Sequence, residues 1–171
     1  YKIETGYGML TCSLTALQYV EAQELIEQGD ESLPLLAAIL YYPEKEYHSE
    51  LAHEKAKEFA KLPLELLTAI SFNFQAFNNY LFSKTSFSLL SKFVKKPKHP
   101  ITTDASDALY DLSKEGLGDA RQIDQMNVLT YLKVLRKKTI DAVNDMKGFG
   151  WDKLKISEEV GLPISVIDKI L

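Results

Sequence analysis

Cysteine occurs once in these 171 residues, at Cys12, so no internal disulfide can form and a bridge-stapled secreted scaffold is excluded. An intracellular protein is the expectation. Glycine and proline are scarce, with 8 and 6 copies, which leaves little punctuation for a chain of many short strands. Long apolar runs are missing as well. The richest, Leu33 to Tyr42, is roughly half the length of a membrane span and carries Pro34 near its start. No Gly-rich phosphate loop, Gly-x-Ser-x-Gly elbow or paired-cysteine metal pattern occurs. Catalysis is therefore not expected, and neither is a metal or cofactor. The first residue is Tyr1 rather than methionine, which suggests a portion of a longer product.

What is present reads as an all-α protein. Apolar residues make up 46% and charged residues 26%, a composition that folds rather than staying disordered. Strand-like alternation is confined to about Tyr1 to Leu10. A first helix is expected from near Ser13 to Gln28, closed by Gly29. Leu33 to Tyr42, apolar on every side, reads as a buried helix ending before Pro43. Ser49 to about Lys61 reads as a surface helix with Ser49 as its cap. The longest pattern follows Leu62-Pro63, with Leu66, Ile70, Phe74, Phe77 and Leu81 recurring at helical steps. Serines and threonine between 83 and 91 allow a kink or two helices there.

The segment Lys95-Lys-Pro-Lys-His-Pro-Ile-Thr-Thr103 reads as a linker, with two prolines and charge of one sign. Residues 1 to 91 carry a net charge of −6, residues 92 to 103 of +4 and residues 104 to 171 of −2. This predicts two helical lobes, 1–94 and 104–171, joined by the basic linker 95–103. The second lobe should hold a helix from Thr103 or Asp104 to about Lys114 and another from Ala120 to Met146. Val128, Leu129, Leu132, Leu135, Ile140, Val143 and Met146 of the latter should face inward.

Residues 151–171 form the strongest short-range pattern. Ser157, Val160, Leu162, Ile167, Ile170 and Leu171 sit around Gly161 at the spacings of a helix-turn-helix pair. Glycine supplies the left-handed backbone of the tight turn, and Pro163 suits the start of the second helix. The outward positions are Ile164, Ser165, Val166 and Asp168, with Lys169 alone basic. A reader of base edges and phosphates needs donors and cations, so this surface suits a protein partner better than DNA.

Other features divide similarly. Lys92, Lys95, Lys96 and Lys98, together with Lys169, could contact phosphates in a nucleic-acid-binding regulator, with affinity that fades as salt rises. A solvated connector would look the same. His48 and His53 are five residues apart, about 140° around a helix, whereas a zinc-protease pair is four apart. Tyr41, Tyr42 and Tyr47, with Phe72, Phe74, Phe77 and Phe82, exceed what one helical face hides. They predict an aromatic partner-binding surface centred on Tyr41, Tyr42, Tyr47, Phe74 and Phe77, with Ile164 and Val166 as a second patch.

The order Ile39-Leu-Tyr-Tyr-Pro-Glu44, Tyr47-His-Ser49, Ala52, Lys55, Ala56, Phe59 and Leu62-Pro63 resembles a segment of small helical proteins of tailed bacteriophages, of the tail-assembly-chaperone kind. The resemblance spans residues 36–74. It implies a non-enzymatic assembly or virion structural protein that binds other phage proteins or itself. Such a protein would work in the host cytoplasm during assembly and could remain in the particle. The resemblance carries no site residues.

Overall fold

The computed structural model describes residues 2–5, 8–26, 28–94, 113, 116 and 118–171. The fold is mostly helical, with one small hairpin. Strands β1 (Lys2–Thr5) and β2 (Gly8–Thr11) pair antiparallel, with Ile3 opposite Leu10. The lysine-rich linker Lys95 to Thr103 lies outside the described residues, as does almost all of the helix expected from 104 to 114.

Helix α1 runs Ala16–Ile26, three residues later than its apolar spacing suggests, because Thr15 and Gln18 build a reciprocal cap. The Gln18 backbone N–H donates to Thr15 Oγ1 at 3.2 Å, and the Thr15 N–H donates to Gln18 Oε1 at 2.9 Å. Gln18 is buried and spends its Nε2 on the Ile39 carbonyl, 2.9 Å away. That bond satisfies a backbone acceptor in helix α2 (Leu33–Leu40). Leu36, Ala37, Ala38 and Ile39 of α2 are at most 1% exposed, as an all-apolar helix requires.

Helix α3 (Ser49–Phe59) lies on the surface and buries only Ala52. His48 occupies its cap position with extended backbone, so Ser49 is the first helical residue rather than the cap. Helix α4 (Leu64–Lys84) follows Pro63. Its inward face is Leu67, Ile70, Ser71, Phe74 and Leu81, while Leu66 is 47% exposed. Ile70, Phe74 and Leu81 of the expected face are thus buried, and the face is turned by roughly 45° toward Leu67 and Ser71 at 100° per residue. The chain breaks at Thr85, whose side chain accepts from the Phe87 N–H at the start of a 3-10 segment, Ser86–Ser91.

The single helix expected from 120 to 146 is two, α5 (Ala120–Asp124) and α6 (Val128–Gly148). Asp119 and Gln122 form a capping box for α5, and Asn127 Oδ1 caps α6 by accepting from the Leu129 N–H at 3.0 Å. The break lets this segment join the chain's beginning. The Ala16 N–H donates to the Met126 carbonyl at 2.7 Å, the Val128 N–H to the Leu14 carbonyl at 3.0 Å, and Asn127 Nδ2 to the Cys12 carbonyl at 2.8 Å. On α6, Val128, Leu129, Leu132 and Val143 of the expected aliphatics are buried and Leu135, Ile140 and Met146 half-buried, while Tyr131 and Thr139 are buried as well.

Helices α7 (Lys153–Val160) and α8 (Ile164–Ile170) close the chain. Gly161 sits between them at φ 77°, ψ 12°, the left-handed conformation the spacing called for. The Ser157 hydroxyl donates to the Leu162 carbonyl at 2.6 Å and ties the turn across its mouth.

Two apolar clusters form among the described residues. The larger unites α1, α2, α4, α5 and the first turns of α6, with Tyr47 and Phe87. The smaller gathers Val143, Ile156, Val160, Leu162 and Ile167, with Leu89, Phe93, Met146 and Trp151 against them. This grouping differs from lobes at 1–94 and 104–171. Residues 120–132 pack with the N-terminal helices, and Leu89 and Phe93 pack with the C-terminal pair.

Candidate partner-binding site

Three of the expected aromatic residues meet at one cleft. Tyr41 ends α2, Phe74 and Phe77 project from α4, and the turn from β2 to α1 supplies Cys12 and Leu14; together they line a space of about 530 Å³. Tyr41 stands at 58% exposure, whereas Phe74, at 4%, forms part of the core. Phe74 meets Tyr19 edge-on at 6.0 Å between ring centres and lies nearly parallel to Phe77 at 6.5 Å. These contacts hold the rings rigidly, so little side-chain entropy is lost when an apolar group enters. Phe72, on another side of α4, is 64% exposed.

Tyr47 is not part of this surface. It is 2% exposed, and its hydroxyl donates to the Glu21 carboxylate. Its backbone is clasped by Gln125, with Nε2 donating to the Tyr47 carbonyl at 2.7 Å and Oε1 accepting from the Tyr47 N–H at 3.1 Å. Burial, reinforced by the Glu21 carboxylate, pushes the phenol pKa far up, so it stays a donor. Phe74 and Tyr47 are therefore core residues, because aromatic area is best spent where it leaves water fully. Tyr42 is half-buried, edge-on to Tyr47 at 5.1 Å, with the Lys55 ammonium 5.8 Å from its ring centre.

Cys12, in the cleft wall, has its thiol pKa raised by burial. A protonated, half-buried thiol behaves as a small apolar group. Among the described residues, no group of three or more His, Cys, Asp or Glu is placed to hold a metal ion. No helix among them is long and apolar enough to cross a membrane.

The second expected patch is only partly open. Ile164 is 41% exposed, but Val166 packs against the smaller core and is half-buried. Asp168 is engaged by Lys153 Nζ. Val166 instead borders a groove of about 480 Å³ that also receives Lys92, Lys169 and Arg136. Two of the five lysines considered for phosphate contact thus come together, although 77 positions separate them. Lys95, Lys96 and Lys98 lie outside the described residues. Arg136 carried no signal in the sequence beyond its charge, and Cys12 of the aromatic cleft could not be paired with α4 from spacing.

No family model matches the chain, and no curated protein or solved structure matches it.

Proposed function

We propose that this is a non-enzymatic binding protein that holds an apolar segment of a partner in the cleft beneath Tyr41. The carrying observation is Tyr41 itself, 58% exposed at the mouth of a cleft walled by Phe74 and Phe77. An exposed ring above a preorganised apolar wall gains free energy by burial on association. The resemblance over residues 36–74 supports a setting in tailed-phage assembly. The partners would be other phage proteins or a second copy, met in the host cytoplasm or retained in the virion.

Native mass spectrometry and pull-down against phage tail and capsid proteins test this reading. A complex weakened roughly tenfold, or about 1.4 kcal/mol, by Tyr41→Ser is the expected result. A chain that stays monomeric and captures none of these proteins removes the proposal. The competing reading, a nucleic-acid-binding regulator, is favoured by Lys92 and Lys169 sharing a groove. It requires affinity for DNA that falls steeply with salt.

A further inference from the structure

The groove bordered by the 3-10 segment, α6 and α8 combines two chemistries. Its cations are Lys92, Arg136 and Lys169, and its apolar lining includes Leu89, Ile140 and Ile170. No carboxylate among the described residues lines it, although the whole chain carries a net charge of −4. The nearest acids along the chain are spent elsewhere: Asp168, beside Lys169, pairs with Lys153, and Asp141, beside Ile140, pairs with Lys137. Arg136 is fixed by its Nε donating to the Ser86 carbonyl at 2.9 Å. Its remaining N–H donors, like the two ammonium groups, have no carboxylate partner among the described residues.

We propose that this groove binds an acidic amphipathic peptide segment of a partner protein. Aliphatic side chains of the segment would lie on Leu89, Ile140 and Ile170, and its carboxylates would meet Lys92, Lys169 and the Arg136 fork. Charge complementarity selects the sign of the ligand, and the apolar lining selects a peptide over a nucleic acid. Phosphate contact needs no aliphatic floor, and single-stranded bases favour aromatic stacking platforms. The groove has none among its lining residues. The proposal concerns a surface separate from the Tyr41 cleft and stands without it.

The test is fluorescence anisotropy on the full chain with three labelled probes. They are a peptide alternating leucine and glutamate in helical register, a peptide of equal charge with serine replacing leucine, and a duplex DNA oligonucleotide. The leucine-glutamate peptide should bind, the serine peptide should bind roughly tenfold more weakly, and combined Lys92→Gln and Lys169→Gln should weaken the former roughly tenfold. Both lysines are exposed, and circular dichroism checks that the variant folds. Arg136→Gln provides an independent loss of charge on α6. Equal binding of the two peptides would reduce the groove to a general anion site. DNA bound more tightly than peptide, and lost in the same variants, would assign it to nucleic acid. No peptide binding, or binding unchanged in the variants, overturns the proposal outright.

Discussion

The larger core and the smaller one are closed by contacts of very different reach along the chain. In the larger, Gln125 clasps Tyr47 across 78 positions and Asn127 reaches Cys12 across 115. In the smaller, the Ser157 to Leu162 bond and the Gly161 turn act within five residues, and Leu89 and Phe93, with one backbone bond from the Val94 N–H to the Gly161 carbonyl, supply the long-range part. Closing a long loop costs more chain entropy, though only slowly with length. The larger core compensates with polar clasps that fix its register. The smaller relies on local geometry, with apolar packing around it.

One truncation in each core separates the two most directly. Tyr131→Ala and Ile156→Ala remove side chains at 1% and 0% exposure. The first is expected to cost about 3–5 kcal/mol and the second about 2–5 kcal/mol. Hydrogen exchange should distinguish them. Tyr131→Ala should accelerate amides throughout α1, α2, α4 and α6, whereas Ile156→Ala should accelerate chiefly α7 and α8. Uniform acceleration by both would mean that the cores unfold as one. Next in size is Gly161→Ala. A side chain at φ 77° costs about 1–2 kcal/mol, read as a lowered denaturation midpoint with an unchanged slope.

Smallest is Asp124→Asn. Burial, and then the Glu21 carboxylate, raise the Asp124 pKa above its ordinary 3.8. The folded state therefore binds its proton more tightly than the unfolded state. Its ionised form weakens the fold above the raised pKa, and stability returns as pH falls through that value. Asn should stabilise the chain at neutral pH by about a few tenths of a kcal/mol, since the carboxyl is only partly shielded. The gain should vanish in acid; a gain equal at both pH values would exclude the charge as its cause.

These differences also explain what the sequence disclosed. The C-terminal pair was legible because its pattern spans about twenty residues and its turn demands glycine. Buried α2 was legible from its unbroken apolar run. The division of α5 from α6 was not, because the break is held by Asn127, whose Nδ2 bonds the Cys12 carbonyl 115 positions away. The same limit applies to the sites. Tyr41 stood out in an aromatic-rich stretch, but Tyr47 could not be recognised as a core clasp without Gln125. Lys92 and Lys169 were visible as charges, whereas their shared groove with Arg136 depends on where α6 passes.

Helix α6 has 21 residues, about 31 Å at the usual rise, and its two ends belong to different cores. The groove takes its walls from this helix, from the 3-10 segment whose Phe87 sits in the larger core, and from α8 of the smaller one. A ligand there would act as a thermodynamic clamp. It binds only when all three walls are assembled, so saturation at a hundredfold above its dissociation constant would add about 2.7 kcal/mol against opening. That gain would be felt at the backbone bond from Val94 N–H to the Gly161 carbonyl, which neither residue's side chain makes and no ligand need touch.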